Sequence, residues 1–223
     1  MILKLDNVYY RYAKNAPYIL NGISHEFERG KLYAIMGGSG SGKTTFISII
    51  AALDKPTSGR IFFDGTDIIT LNSDEYRAKK ISIIFQNYNL LYNYTALDNI
   101  TTVLDIIGFK GNYNAKASEL LSDVKIPKEK HRYPVHNLSG GEQQRVAIAR
   151  ALTGDPDIII ADEPTGNLDK INQENIMEIF RDLAKNRGKC VIIVTHSDYV
   201  GEYADEILYI SDGKIVTSSD SAF

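Results

Sequence analysis

The chain has 223 residues and a formal net charge of −3 at pH 7, with 43% apolar and 24% charged residues. These proportions are ordinary for a globular protein, and the apolar runs are far too short to cross a bilayer. The N-terminus shows no basic region followed by an apolar stretch, and the slight acidic balance gives no electrostatic reason to expect a nucleic acid partner. We therefore expect one cytoplasmic domain that inserts into no membrane and binds no nucleic acid.

The first element predicted along the chain is an antiparallel β lobe. Apolar and polar residues alternate over residues 2–8 and again over residues 19–23, with a turn signal at Asn21-Gly22. A hairpin pattern at residues 58–65 indicates that the chain later returns to this lobe.

Strands and helices alternate through the rest of the chain. Short buried strands are predicted at residues 32–36, 81–85, 158–161, 191–194 and 206–210. Helices are predicted at residues 44–53 and 172–186 and through most of residues 88–152, with breaks at glycines and prolines. This order is typical of a parallel sheet that carries a helical insertion.

A glycine-rich segment follows the strand at residues 32–36. It matches the phosphate-binding P-loop pattern, with the residues Gly37, Gly38, Ser39, Gly40, Ser41, Gly42, Lys43 and Thr44. The glycines permit backbone conformations that turn N–H groups toward phosphate oxygens, Lys43 supplies a positive charge, and the Thr44 hydroxyl can ligate Mg²⁺. The position between a strand and a helix favours nucleotide binding over a merely flexible loop, and we include Thr45 in the site.

Two carboxylates, Asp162 and Glu163, follow the apolar strand at residues 158–161. Open α/β sheets place their ligand sites at the carboxyl ends of strands. A solvated strand end would produce the same pattern, but the P-loop in the same chain favours a functional interpretation. Asp162 then suits the surroundings of Mg²⁺, and Glu163 is available to polarise a water for attack on the γ-phosphate.

The segment Leu138-Ser139-Gly140-Gly141-Glu142-Gln143-Gln144-Arg145 resembles the signature sequence of the ABC ATPase family. It is a Ser-Gly-Gly turn that feeds a predicted helix, so a hydroxyl and N–H groups stand at a positive helix end suited to an anion. A capped helix start is the simpler explanation. The resemblance implies that two chains meet head to tail, so that Ser139, Gly140, Gly141 and Glu142 of one protomer close over ATP held by the other.

The other elements of the family follow in the expected order across essentially the whole chain. Gln86 resembles the Q-loop glutamine that senses Mg²⁺ and the attacking water, and His196 is similar to the switch histidine that contacts the γ-phosphate. Tyr12 resembles the aromatic residue that stacks on adenine, with Tyr9 and Tyr10 as adjacent candidates. The D-loop, which crosses the dimer interface, is matched by Asn167, Leu168 and Asp169.

The resemblance implies an α/β fold, the ABC ATPase fold. A P-loop NTPase (RecA-like) core with an N-terminal antiparallel β subdomain would comprise residues 1–86 and 156–223, and an inserted helical subdomain would comprise about residues 87–155. It implies an ATPase with ATP and Mg²⁺ as cofactors. The implied catalytic residues are Glu163, His196 and Gln86, and the implied metal ligands are Thr44, Gln86 and Asp162. Two departures, Glu142 for glutamine and Gly38 for proline, remove no group that this chemistry requires.

Residues 161–169 and Glu142 resemble one branch of the family in particular, which contains macrolide exporters, lipoprotein-releasing complexes and bacitracin-type peptide transporters. The implied assembly is an ATP-bound homodimer that powers a separate integral membrane permease from the cytoplasmic face of the membrane. The abundance of Ile, Asn, Lys and Tyr favours an AT-rich bacterial genome and antimicrobial peptide export.

Two other functions fit parts of the pattern. A soluble ABC ATPase that acts on a macromolecular complex commonly has two cassettes or a long coiled-coil insertion, and neither is present. A nucleotide-binding regulator without turnover is opposed by the presence of Glu163 and His196.

The segment from Gln86 to Tyr92 carries four large apolar or aromatic side chains. Packing inside the helical lobe would explain them. In the family, the equivalent segment helps to form a groove for a short cytoplasmic helix of the permease, which is the second interpretation.

Overall fold

The computed structural model describes residues 1–217, which form two sheets and a set of helices. The strands are β1 (Leu3–Tyr10), β2 (Leu20–Phe27), β3 (Leu32–Met36), β4 (Ser58–Phe63), β5 (Thr66–Asp67), β6 (Ile81–Ile84), β7 (Ile158–Asp162), β8 (Cys190–Val194), β9 (Glu206–Ser211) and β10 (Lys214–Thr217). The helices are α1 (Lys43–Ile50), α2 (Ser73–Lys79), α3 (Ala96–Ile106), α4 (Tyr113–Asp123), α5 (Gly140–Ala151), α6 (Lys170–Lys185) and α7 (Asp198–Gly201). Single 3₁₀ turns lie at Ile68–Thr70, Lys128–Lys130 and Val135–Asn137.

The N-terminal lobe is a four-stranded antiparallel sheet with the order β2-β1-β4-β5. The largely alternating pattern of β1 suits a sheet with one covered face, because successive side chains of a strand point to opposite faces. The predicted β lobe and its returning hairpin are therefore confirmed.

The central sheet has the order β10-β9-β3-β8-β7-β6. The pairs from β9 to β6 are parallel, and β10 closes one edge as an antiparallel strand. Every residue of β3 and β8 is buried, as expected for strands covered on both faces. The predicted α/β class with a parallel sheet is confirmed.

The two faces of the central sheet bury different layers. On β3, Leu32, Ala34 and Met36 join a core that contains the buried residues of α3 to α6. Tyr33 and Ile35 point the other way and join a core formed with α1 and the β lobe. The helical segment thus shares its core with the sheet, and the subdomain boundaries near residues 87 and 155 stay a prediction.

Local capping explains where several helices depart from the predicted bounds. The helical pattern predicted from residue 88 begins only at Ala96, because Tyr88 and Asn89 have φ near +60° and +50° and Thr95 caps α3. The helix predicted after the Ser-Gly-Gly turn already includes both glycines, because Ser139 is its N-cap. In residues 1–217, no helix combines the length and apolar character needed to cross a bilayer.

The β4–β5 hairpin offers a test of backbone packing, since Gly59 and Gly65 both have positive φ, near +87° and +81°. A Cβ at Gly59 would lie under 3.0 Å from the backbone of Asn7 and Val8, whereas one at Gly65 would meet nothing within 4 Å. We expect each alanine substitution to cost about 1 kcal/mol of conformational strain, and Gly59→Ala to lose a further ~1–3 kcal/mol through overlap. Urea denaturation of both variants measures this, and equal losses would contradict it.

Candidate functional site

The candidate site lies where parallel strands end. The P-loop connects β3 to α1, Asp162 is the last residue of β7, and His196 stands two residues beyond β8. Gln86 stands two residues beyond β6. Because β3, β8, β7 and β6 are neighbours running in the same direction, their carboxyl ends bring all four segments to one edge of the sheet.

These segments surround a cleft of about 610 Å³. It is lined by Tyr12, Ile19, Gly37, Gly38, Ser39, Gly40, Gly42, Lys43, Thr44, Thr45, Gln86, Asp162, Glu163 and His196. The structure thus brings together the predicted nucleotide, metal and catalytic residues, with one exception. Ser41 does not line the cleft, and its hydroxyl is buried near Gly37 instead.

The P-loop concentrates positive charge at one end of the cleft. The Lys43 ammonium donates to the carbonyl oxygens of Gly37 at 2.7 Å and Gly38 at 2.9 Å. Lys43 is also the first residue of α1, whose initial N–H groups carry partial positive charge. Ammonium, loop amides and helix start therefore favour an anion such as a polyphosphate.

Among the three tyrosine candidates, the structure places Tyr12 at the cleft. Its ring is 71% exposed, and its hydroxyl lies 3.0 Å from the Thr45 hydroxyl of α1. Tyr10 is buried and bonds to Asp54, while Tyr9 packs edge-on against Tyr18. Only Tyr12 of the three thus offers an accessible ring beside the P-loop.

Glu163 lines the cleft and is held there by side chains from the segment after β8. The Nδ1 of His196 donates to Glu163 Oε1 at 2.6 Å, and the Thr195 hydroxyl donates to Glu163 Oε2 at 2.9 Å. Glu163 adopts a left-handed backbone conformation with φ near +47°, which is uncommon for a non-glycine residue. The carboxylate is mostly buried, and the imidazole beside it is 75% exposed.

Asp162 lies in an environment that disfavours its charge. Burial raises its pKa above the ordinary value, and the neighbouring Glu163 charge raises it further, while Lys43 acts in the opposite direction. A cation near Asp162 would relieve this cost. The oxygen donors of Thr44 and Gln86 line the same cleft, and hydroxyl, amide and carboxylate oxygens are the donor types that Mg²⁺ accepts.

The signature segment forms a complete capping box at the start of α5. The Ser139 hydroxyl accepts from the Glu142 N–H at 3.3 Å, and Glu142 Oε2 accepts from the Ser139 N–H at 3.0 Å. Glu142 Oε1 also accepts from Lys130 at 2.6 Å. Burial alone would raise the pKa of Glu142, but the bonds from Lys130 and Ser139 outweigh it and hold the pKa below its ordinary value. Both Glu142 oxygens are thus engaged within the chain, while Ser139 and Gly140 remain exposed.

The D-loop packs against the signature segment. Asp169 caps α6 by accepting from the N–H and the side-chain amide of Asn172, and these bonds hold its pKa below the ordinary value. A Cβ on Gly141 would overlap the Asn172 amide, so only glycine permits this approach. Leu168 packs close to Gly140. Within residues 1–217, neither segment contributes to the lining of the cleft.

Hydrogen bonds join the turn after Gln86 to the C-terminal end of α5. Arg150 donates to the carbonyl oxygens of Tyr88 at 2.8 Å and Asn89 at 2.6 Å. Burial lowers the pKa of this guanidinium. Arginine nevertheless keeps its charge in proteins. One helix therefore joins the signature residues to the Gln86 segment.

Sequence reasoning missed several contributors to the site. Ile19 lines the cleft without a motif to mark it, and Thr195, Lys130, Asn172 and Arg150 act through contacts with distant residues. Only Thr195 had a usable signal, since it directly precedes the predicted histidine.

Comparisons with known proteins give consistent results. A family model described as "ABC transporter" matches residues 20–166. The macrolide export ATP-binding/permease protein MacB of Syntrophobacter fumaroxidans is 41% identical over 216 residues, which cover 94% of this chain and 30% of that protein. The lipoprotein-releasing system ATP-binding protein LolD 1 of Rhodopseudomonas palustris is 38% identical over 96% of this chain and 98% of its own length.

A solved structure is similar in both sequence and fold. It is a dimeric structure of a post-hydrolysis state of the ATP-binding cassette MJ0796 of Methanocaldococcus jannaschii, bound to ADP and Pi. It is 38% identical to this chain, covers 96% of each chain, and has a TM-score of 0.84.

The Lys130–Glu142 pair gives a stability test with a defined pH dependence. Because the folded pKa of Glu142 is depressed, the pair stabilises the fold above the unfolded pKa, near 4.5, and this is lost as pH falls through the folded value. We expect Lys130→Met to cost about 1–2 kcal/mol at pH 7, discounted for partial exposure, and clearly less at pH 3. Urea denaturation across that range measures the difference.

The exposed pair Lys4–Glu26, at 2.8 Å, provides the matched control. Lys4→Met should change stability little at any pH, because exposed ion pairs are well solvated and screened. An equal loss for Lys130→Met at pH 7 and pH 3 would show that packing, not charge, explains its effect.

Proposed function

Since this chain belongs to the ABC transporter family, we propose that two copies of it drive export through a separate integral membrane permease. The chain is an ATPase, the ATP-binding subunit of a transporter complex. The observation that carries the proposal is a single cleft in which Lys43 faces the Glu163–His196 pair beside an accessible Tyr12. Such an arrangement offers a cation for phosphates, a carboxylate and an imidazole for hydrolysis, and an exposed ring for stacking.

We assign the parts of ATP to the cleft by chemistry. The P-loop amides and Lys43 hold the phosphates, because the ammonium can exchange its loop carbonyl acceptors for phosphate oxygens. Tyr12 stacks on adenine, a role suited to an exposed ring whose hydroxyl is fastened to the P-loop helix. Thr45 and Ile19 complete the wall between the two ends.

We propose that Mg²⁺ enters together with ATP. In the described part of the chain, no cluster of three or more histidine, cysteine or carboxylate side chains could hold a metal ion by itself. Mg²⁺ bound by one or two protein oxygens plus substrate phosphates is the usual arrangement in such sites, and Thr44, Gln86 and Asp162 are the candidate ligands. When bound, the ion would neutralise charge on the phosphates during transfer.

Hydrolysis then follows from the chain's own groups. Glu163 accepts a proton from the attacking water, as a buried carboxylate fixed by two hydrogen bonds can do. Lys43 stabilises negative charge on the transferring phosphoryl group, and His196 is placed to contact it while bonded to Glu163. Gln86, two residues beyond the end of β6, orients the water, and its position depends on the state of the site.

The signature and D-loop segments do not line the cleft of their own chain, which supports a composite site. Ser139 and Gly140 are exposed at the N-terminus of α5, where a hydroxyl and helix N–H groups suit an anion. We propose that they close over ATP held by a second copy. Because Glu142 is fully engaged with Ser139 and Lys130, its role in closure is to hold the turn rather than to touch the nucleotide.

For the permease contact, we propose the surface beside the Gln86 segment. A groove of about 220 Å³ lies there, lined in part by Ile81, Ile83, Val103, Ile106, Ala147 and Arg150. Strand β6 supplies its floor and leads to Gln86, while Arg150 both lines the groove and binds the following turn. Ile106 is 76% exposed at its edge, so an apolar helix would find unpaired apolar surface.

The four apolar or aromatic side chains after Gln86 differ in their burial. Leu90 is 6% exposed and belongs to the core, and Tyr88 packs partly against it. Leu91 and Tyr92 are 43% and 47% exposed and available to a partner. We therefore restrict the proposed permease contact to Leu91, Tyr92 and the groove.

We propose export as the direction of transport and the cytoplasmic face of the cell membrane as the location, reached through the permease. Identities of 38–41% to an export protein and a lipoprotein-releasing protein support this branch. A peptide, an antibiotic or a lipid-like molecule is the substrate class that these relatives favour.

The Glu163→Gln variant tests both hydrolysis and assembly. We expect kcat for ATP hydrolysis to fall at least about 100-fold, because the amide keeps the shape but loses the proton acceptor. ATP should bind as in wild type and trap a dimer. Phosphate release and light scattering measure the two effects.

Lys43→Ala serves as the contrasting variant, because it should lose phosphate affinity and hence the ATP-dependent dimer. Hydrolysis by Glu163→Gln within about threefold of wild type would remove Glu163 from the catalytic role. A Glu163→Gln chain that stays monomeric with saturating ATP would count against the composite site.

Leu91→Asp tests the permease contact, with Leu91→Met as the matched control that keeps an apolar side chain. We expect the aspartate to weaken permease binding by about 2–5 kcal/mol, since it places an unpaired charge in an apolar contact. The measurement is retention of the permease by tagged chain in detergent, beside ATP hydrolysis by the isolated chain. Unchanged retention would contradict the docking surface, and loss of the fold would favour the core-packing interpretation.

A further inference from the structure

We propose that Thr195 is a positioning residue that fixes the orientation of the Glu163 carboxylate for hydrolysis. The inference rests on the proposed catalytic role of Glu163 and deepens it. The two hydrogen-bond partners of that carboxylate differ in their exposure to solvent. His196 is 75% exposed, whereas Thr195 is fully buried. The buried hydroxyl is therefore the fixed partner, and the imidazole is the one free to move.

The hydrogen bonds around the Thr195 hydroxyl define where its proton points. The oxygen accepts from the Ser197 N–H at 3.1 Å and lies 2.9 Å from Glu163 Oε2. An N–H can only donate and a carboxylate can only accept, so the single hydroxyl proton goes to Glu163. Thr195 consequently ties the carboxylate on one side to the backbone of the histidine segment on the other.

The backbone of both residues is set by the central sheet. The Thr195 N–H donates to the Ile35 carbonyl at 3.0 Å, and the Glu163 N–H donates to the Val194 carbonyl at 2.8 Å. Both residues thus extend the strand pairing of β3, β8 and β7 by one step. The backbones that carry the hydroxyl and the carboxylate are therefore held by the same pairing that holds the P-loop strand.

The shape of the Thr195 side chain also limits its movement. Threonine is β-branched, so its χ1 angle has few accessible values, and burial reduces them further. Glutamate has three side-chain torsions and would otherwise sample several orientations in the cleft. With Oε2 held by Thr195, Oε1 stays on the side of His196.

The first test compares Thr195→Val with Thr195→Ser in the full-length chain. The valine keeps the branched shape and removes the hydroxyl. We expect kcat for ATP hydrolysis to fall about tenfold while KM stays within about twofold, because a hydrogen bond to a charged group is lost without touching the nucleotide. The serine keeps the hydroxyl and should stay within about threefold of wild-type kcat.

Thr153→Val is the matched control for loss of a buried threonine hydroxyl. Thr153 is 6% exposed, lies two residues beyond α5, and donates its hydroxyl to carbonyl oxygens in the last turn of that helix. Its kcat should stay within about twofold of wild type. If Thr195→Val does not fold, as judged by its thermal transition beside that of Thr153→Val, Thr195→Ala carries the same expectation.

A double-mutant cycle separates this inference from the catalytic role of Glu163. In a Glu163→Gln background, Thr195→Val should change the residual single-turnover rate by less than about twofold, because the carboxylate that it positions is gone. A tenfold loss there too would show that Thr195 acts independently and overturn the inference. So would a wild-type kcat for Thr195→Val, or a raised KM with kcat unchanged.

The two failures are distinguishable. If Glu163→Gln hydrolyses ATP normally, the proposed catalytic role falls and this inference falls with it. If Glu163→Gln is slow and the hydroxyl-free variants of Thr195 are not, only the positioning role is overturned.

Discussion

The parallel pairing of β3, β8, β7 and β6 is the constraint on which the rest of the molecule depends. Each strand delivers one component of the cleft at its carboxyl end: the P-loop, the Thr195–His196 pair, the two carboxylates and Gln86. A slip of one residue in any pair would turn buried side chains to the wrong face and move a component by about 3 Å. The apolar residues on both faces of these strands therefore do more than stabilise the fold. They fix the register that sets the distances of the site.

Much of this arrangement could be predicted from sequence, because it is encoded in local patterns. The P-loop, Asp162, Glu163 and His196 each follow a short apolar run, and runs of that kind predict buried strands with functional ends. Tyr12 could not be separated from Tyr9 and Tyr10 because three neighbouring tyrosines carry the same local signal. Their different environments, one exposed and one bonded to Asp54, arise only in the folded lobe.

The residues that sequence reasoning missed share a physical property. Lys130, Asn172 and Arg150 contribute through single contacts with residues distant along the chain, and the pattern around each is that of an ordinary helix or loop. Ser41 differs from the other motif residues, since it does not line the cleft and its hydroxyl is buried. Gly141 combines a recognisable motif position with a contact that sequence does not reveal. The motif identifies it, but only the structure shows that Asn172 leaves no room for a Cβ.

The fastening of Arg150 has a mechanical consequence. Helix α5 has 12 residues, so it is a rod about 18 Å long, with Ser139 at one end and the Tyr88–Asn89 turn held at the other. A rigid helix moves as one body, so a displacement of the turn would also displace the exposed serine. Arg150 donates to backbone carbonyl oxygens, which are present whatever side chains stand at positions 88 and 89. The surface proposed to meet a permease can thus differ in its side chains while the linkage behind it stays the same.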